Sequence, residues 1–220
     1  MDLAWRPCDG RFGRLVQVTL RRLHRLMAMG LAIFIVLHLM NHVMILFGTE
    51  SHVAMMDILR HFYRHPVVEI ALFAAFSMQI AIGLRLLWRR GKPRHFWGWM
   101  QAGSAVALSF FLVQHMSAIV LTRITFPDMP TDIYWAASVV SRMPLSAYFA
   151  PYYTIGVAAL FIHLGAFMAI RRQSVLGATF CVGGTSFAIL IVAGLLGAYH
   201  PITLPAVNEA YLHAAWGLPQ

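Results

Sequence analysis

The chain has 220 residues, of which 60% are hydrophobic and only 11% are charged. An average soluble domain is about 45–50% apolar and about 25% charged, so this composition excludes an ordinary soluble domain and a disordered chain. Lysine and arginine outnumber the acidic residues by 17 to 8, which gives a formal net charge of +9. In so apolar a chain we expect the basic residues to set membrane orientation rather than to bind nucleic acid.

Five uncharged apolar segments of about 20 residues each predict a single all-α membrane domain with five transmembrane helices. The predicted spans are 26–47, 67–88, 101–122, 150–170 and 183–200. The first 25 residues carry six arginines and no signal-peptide pattern, which indicates a cytoplasmic amphipathic tail. Apolar side chains share one face of 11–25, which predicts a helix on the membrane surface, and 131–143 predicts a second surface helix in the outer loop.

The basic residues are divided unevenly between the two sides of this topology. Four of the 17 fall on the side away from the N-terminus. These four are Arg60, Arg64, Arg123 and Arg142. The positive-inside rule then places the N-terminus in the cytoplasm and the C-terminus outside. We therefore expect a multi-pass protein of a bacterial cytoplasmic membrane, with Cys8 and Cys181 on the reducing side as free thiols.

Three of the eleven histidines fall deep inside predicted spans, namely His38, His115 and His163. Ionisable groups are costly to bury there, so each is a candidate functional residue. A helix rise of about 1.5 Å per residue places His38 and His115 within about 3–5 Å of the same depth. Two neutral imidazoles at one depth are what a bis-histidine haem iron requires. The spacing therefore predicts that His38 and His115 ligate the iron of one haem.

His163 lies nearer the cytoplasmic side, where a second haem would need a partner on the second predicted span. That span contains no histidine, and its mid-span amide is Gln79. His163 is thus a lone ligand of haem iron, a hydrogen-bonding group or the remnant of a lost site. An amide is a poor iron ligand, so the inner haem site is predicted to be altered or empty. A haem there would depend on His163 alone or on a ligand from elsewhere, such as His24.

Two other polar residues lie near the outer ends of spans. Glu69 follows Pro66 at the start of the second span, where the helix dipole favours a carboxylate. Its functional alternative is to accept a proton from a quinol bound near the outer haem. His42 is one turn outward of His38 and is either structural or a hydrogen-bond partner of a quinone carbonyl or a haem propionate.

In this order and spacing, these residues resemble the five-helix diheme cytochrome b membrane anchor of succinate dehydrogenases and fumarate reductases. The resemblance extends from about Arg21 to Arg171. The segments that carry it are Leu20-Arg21-Arg22-Leu23-His24, His38-Leu39 with His42, Val68-Glu69-Ile70, Gln114-His115 and Ile162-His163.

The resemblance implies an outer haem ligated from helices 1 and 3, matching His38 and His115, and an inner haem ligated from helices 2 and 4. His163 matches the second inner ligand, whereas the first falls at Gln79 or Ile80. It also implies that Glu69 is a quinone-site acid, the cofactor there being a quinone such as menaquinone.

The same resemblance implies that flavoprotein and iron–sulfur subunits dock on the cytoplasmic face. The chain itself has no dinucleotide fingerprint and no cysteine cluster, so it would not oxidise a dicarboxylate alone. We expect it to pass electrons between a membrane quinone and those partners. The alternative is a haem-free membrane anchor or assembly subunit with the same fold and no redox activity.

Overall fold

The computed structural model describes residues 11–218, and the regular structure in that range is entirely helical. Five helices are long and apolar enough to cross a membrane: α1, α3, α4, α6 and α7. The helix bounds are α1 Arg11–Val43, α2 Thr49–Tyr63, α3 Pro66–Arg90, α4 Phe96–Thr125, α5 Ile133–Ser141, α6 Leu145–Ile170, α7 Ser174–Leu195 and α8 Ala206–Trp216. The predicted all-α bundle with five spans is therefore confirmed.

Local sequence signals explain where several helices begin and end. A 3₁₀ turn, Met44–Phe47, follows α1, and Gly48 at φ 105° then allows the chain to turn into α2. Pro66 occupies the first turn of α3, where its missing N–H costs no helical hydrogen bond. Asp132 begins α5 because its Oδ1 accepts hydrogen bonds from the backbone N–H groups of Tyr134 and Trp135.

The first span differs from its prediction because it is longer. Residues 11–25 do not form a separate surface helix but are the first part of α1, which is continuous to Val43. No proline interrupts that segment, so nothing in the sequence forces a break between an interfacial helix and a span. The predicted tail residues 1–10, including Cys8, lie outside the described residues.

Other differences lie in the connections. Helix α7 begins at Ser174 rather than at 183, because the turn that follows α6 needs only residues 171–173 and includes Arg172 at φ 67°. The predicted outer-loop helix is present as α5, but it is buried rather than lying on the surface. Helices α2 and α8 are not predicted by the hydropathy pattern.

The two ends of the bundle differ in character. The basic end comprises the start of α1 and the loops 91–95 and 171–173. The opposite, capped end is covered by α2, α5 and α8. There α5 is enclosed, with Val140 and Ile133 at 0% and 2% exposure, and α8 adds Leu212 at 1%. An ion pair between Arg142 and Glu209 also joins this region. The capped end therefore has a hydrophobic core of its own, of the kind found in soluble proteins.

The spans pack unevenly. Helices α6 and α7 approach most closely, because a Cβ on Gly165 or on Gly177 would lie 2.5 Å from the other residue's carbonyl oxygen. A third of the most apolar stretch of α6 is buried, against 6% of that of α4. Helix α1 packs on α3 and on the capped end, but its backbone barely approaches that of α4. Side chains therefore bridge α1 and α4.

Candidate functional site

Two histidines form the bridge between α1 and α4. The ring centroids of His38 and His115 are 6.2 Å apart, with an angle of 63° between the ring planes. Each ring stacks on a phenylalanine one turn earlier in its own helix, Phe34 for His38 and Phe111 for His115. The structure thus brings together, at one depth, the two histidines that the sequence spacing predicts to be a pair.

Aromatic side chains from other helices surround this pair. Phe76 of α3 and Tyr63 of α2 both meet the ring of Phe34 edge-on, with centroids 5.8 and 5.7 Å away. On the other side, the Tyr152 hydroxyl donates a hydrogen bond to the carbonyl of Phe111. The two imidazoles consequently lie in an apolar, aromatic environment that favours their neutral forms.

A second row of polar side chains continues from His38 toward the capped end. The Nε2 atoms of His38 and His42 are 3.3 Å apart, and His42 Nδ1 is 3.5 Å from Nε2 of His52. The Asn41 amide nitrogen is also 3.3 Å from His52 Nε2. These contacts connect the mid-span imidazole of His38 to helix α2 through atoms at hydrogen-bonding distance. His42 is therefore in direct contact with the candidate ligand His38.

His52 is not identified by the sequence pattern because it belongs to a segment between two predicted spans. It is 1% exposed, and burial, followed by the charges of His38 and Arg60, lowers its pKa to about 4 from an ordinary 6.5. The ring is therefore neutral at pH 7. The helical spacing of His52 and Met56, both buried, is the sequence signal that could have revealed α2 and its inward face.

Glu69 lies in the first turn of α3, where its carboxylate interacts with two arginine side chains as well as with the helix dipole. Its Oε1 accepts a hydrogen bond of 2.5 Å from Nη1 of Arg123 on α4, and Nε of Arg64 is 3.5 Å away. The Nε atom of Arg123 is buried without a hydrogen-bond partner. A carboxylate between two guanidinium groups leaves this patch with a net positive charge, which is suited to polar oxygen atoms of a ligand.

A shallow cavity of about 550 Å³, widely open to its surroundings, lies beside Glu69, between α3 and α4. Its lining is Glu69, Ile70, Phe73, Ala74, Ser77, Val120, Arg123 and Ile124. The Glu69 carboxylate and the Arg123 guanidinium lie together on one side of the cavity, and the rest of the lining is largely apolar. Phe73 and Ser77 flank Phe76, which contacts Phe34. Phe34 in turn stacks on His38.

The third predicted ligand, His163, is not part of the outer pair. Its Nδ1 lies 3.4 Å from the Ser104 hydroxyl of α4, nearer the basic end. There, His24 of α1 faces α3, with its Nε2 3.4 Å from the amide nitrogen of Gln79. The basic end therefore has its own set of inward-facing polar side chains.

Neither metal-ligand clustering nor comparison with known proteins identifies the site. Within residues 11–218, no three or more His, Cys, Asp or Glu side chains are grouped so that they could hold a metal ion. A bis-histidine haem needs only two protein ligands. Cys181 is a free thiol, as expected. No family model matches the chain, and comparisons with curated proteins and with solved structures return no match.

Proposed function

We propose that this protein is a haem b membrane subunit that passes electrons between a membrane quinone and soluble partners at its basic end. The partners proposed are a flavoprotein and an iron–sulfur protein of the succinate dehydrogenase or fumarate reductase type. The single observation that carries the proposal is the pairing of His38 with His115 across two helices whose backbones barely approach each other.

The geometry of this pair suits a shared metal ion. Two imidazoles that bind one metal through bonds of about 2.0–2.1 Å have ring centres about 6 Å apart. The observed 6.2 Å agrees with that requirement. His42 lies at hydrogen-bonding distance from one nitrogen of His38, and ligating histidines are commonly oriented in this way through the nitrogen that does not bind metal. The donor set therefore fits a bis-histidine haem iron, which would supply one-electron transfer.

The cavity beside Glu69 is the proposed quinone site. Its volume accommodates a quinone ring, and its apolar walls suit the ring faces and the first part of an isoprenoid tail. The Arg123 guanidinium is placed to donate a hydrogen bond to a quinone oxygen. Glu69 Oε1 is placed to accept the proton that a quinol hydroxyl releases, and its contact with Arg123 holds the carboxylate in position until then.

Charge supports the proposed orientation and docking face. Four arginines of α1 and of the loops at the basic end are exposed, namely Arg21, Arg22, Arg94 and Arg171. The positive-inside rule places this end in the cytoplasm and the capped end outside, in a bacterial inner membrane. An exposed basic surface favours soluble partners with an acidic face.

A reduced-minus-oxidised absorbance spectrum of the purified full-length chain tests the proposal. We expect the bands of a low-spin b-type haem. The variants His38→Ala and His115→Ala should each lose at least one haem per chain, measured as pyridine haemochrome against protein concentration. The exposed His61 on α2 offers a matched control, since His61→Ala should leave haem content unchanged.

The spectrum also separates the two functions considered. Absence of haem from a folded wild-type chain produced in a haem-replete host would refute the proposal in favour of a haem-free anchor or assembly subunit. Full haem content in both the His38→Ala and His115→Ala variants would refute the ligand assignment.

A further inference from the structure

Three side chains form a continuous polar row that ends at His38. His42 Nε2 lies 3.3 Å from His38 Nε2, and His42 Nδ1 lies 3.5 Å from Nε2 of His52. The amide nitrogen of Asn41 lies 3.3 Å from that same Nε2 of His52. Asn41 and His52 are both buried, so water has little access to the far end of the row. The row therefore connects a candidate haem ligand on α1 with a buried side chain of α2.

The direction of the hydrogen bonds in this row follows from the chemistry of its groups. A neutral imidazole has one N–H donor and one bare nitrogen acceptor, whereas an amide nitrogen can only donate. Because Asn41 donates to Nε2 of His52, that nitrogen is an acceptor and the His52 proton lies on Nδ1. His42 must then donate to His52 through Nδ1, which leaves Nε2 of His42 as the acceptor that faces His38.

This direction determines the tautomer of His38. His38 donates its Nε2–H to His42, so the lone pair of the His38 ring lies on Nδ1, where it is free to bind a metal. The opposite orientation of the Asn41 amide would reverse every hydrogen bond in the row. His42 would then donate to His38, whose second nitrogen would carry its proton and have no lone pair for a metal. Only the direction set by the Asn41 donor is compatible with His38 as a ligand.

Helix α2 is anchored on both sides of His52. Before the helix begins, Ile45 packs so closely on Gly194 of α7 that a Cβ added there would lie 2.6 Å from the Ile45 side chain. Near the end of the helix, the Arg60 guanidinium donates a hydrogen bond of 2.8 Å to the carbonyl of Thr131, in the loop before α5. His52 is therefore carried by an element with a fixed position, as a group that orients a metal ligand must be.

We propose that His52 and Asn41 are positioning residues for the candidate haem ligand His38. They act through His42, which fixes the ring orientation and the tautomer of His38. This inference rests on the proposed function, since it concerns the haem assigned to His38 and His115. An acceptor for the N–H of a ligating imidazole raises the basicity of that ligand. A more basic ligand stabilises ferric over ferrous iron, so the row lowers the potential of this haem.

A redox titration of the purified full-length chain, followed by haem absorbance, tests the inference without an activity measurement. The haem concerned is the one that His38→Ala loses. His52→Leu removes the acceptor and should raise the midpoint potential, so that the ratio of reduced to oxidised haem increases about tenfold at a fixed ambient potential. For a one-electron couple, this tenfold change corresponds to about 59 mV. His52→Gln keeps a side-chain oxygen that can accept from His42 and should retain the wild-type potential.

Two further variants separate positioning from packing. Met56 is buried one turn after His52 and is not part of the row, so Met56→Ala should lower the free energy of unfolding and leave the potential unchanged. Asn41→Leu removes the donor that sets the direction of the row and should raise the potential, which keeps the test decisive if His52→Leu folds poorly. A wild-type potential in folded His52→Leu or Asn41→Leu, or an equal rise in Met56→Ala, would overturn the inference. A wild-type chain without haem would instead refute the proposed function itself.

Discussion

Acidification should destabilise the fold through His52, the buried histidine of α2. Burial, then the charges of His38 and Arg60, lowers its pKa to about 4, whereas its ordinary value is 6.5. Between these values the unfolded chain binds a proton at this position that the folded chain does not. The stability contributed by the neutral ring is therefore fully present above pH 6.5 and is lost as the pH falls toward 4.

The size of this effect follows from the pKa difference. Each unit corresponds to about 1.4 kcal/mol, so the full window is worth about 3 kcal/mol of unfolding free energy. Between pH 7.5 and pH 5.0 the expected loss from this one group is about 2 kcal/mol. Burial of the ring at 1% exposure means that solvent does little to screen the effect.

Reversible unfolding in detergent micelles, followed by tryptophan fluorescence at the two pH values, measures this loss. His52→Asn should lose about 2 kcal/mol less than wild type over that interval, whatever its stability at pH 7.5. His61→Asn alters an exposed histidine on the same helix and should show the wild-type pH dependence. The same pH dependence in all three proteins would show that folding does not lower the pKa of His52, contrary to the reasoning.

Three other outcomes are expected. Gly156→Ala would place a Cβ 2.0 Å from the Phe111 ring, so it should lower the free energy of unfolding by about 1–3 kcal/mol and shift the haem spectrum. The control Gly103→Ala adds a Cβ in open space and should change neither. Glu69→Gln should slow quinol-driven haem reduction by about 10²–10⁴-fold if the carboxylate accepts the proton. The control Glu50→Gln changes an exposed glutamate and should leave that rate unchanged. Equal rates in wild type and Glu69→Gln would exclude Glu69 from proton transfer. A C-terminal tag should be accessible to protease only from the outside of intact cells, and cleavage from the cytoplasmic side would reverse the proposed topology.

The spans and the outer histidine pair could be predicted from sequence because the signals that define them are long or periodic. A stretch of about 20 apolar residues has few alternatives to a transmembrane helix. Depth along such a helix follows from residue number, so the sequence alone predicts that His38 and His115 lie at nearly the same depth. The structure then shows their ring centroids 6.2 Å apart. The continuity of α1 could not be predicted, since an amphipathic segment next to a span is compatible with either a bend or a straight helix.

The side-chain contacts that depend on helix–helix approach could not be read from the sequence. His52 joins the candidate site because α2 folds back over the end of α1. Arg123 pairs with Glu69 because the end of α4 lies beside the start of α3. Likewise, the position of His24 depends on Gly83, 59 positions later in the chain. Distance in sequence carries no information about such contacts until the packing is known.

The uneven packing explains how a small bundle can hold its histidine-bearing helices apart. Helices α6 and α7 are joined by close backbone contact at Gly165 and Gly177, and the capped end adds a buried core around Val140. These regions contain most of the tightly buried residues, and α1 and α4 contain few. Without a hydrophobic driving force between helices in lipid, close packing must supply association. Because α6, α7 and the capped end supply it, α1 and α4 can meet through the imidazoles of His38 and His115, at the spacing that the proposed haem would require.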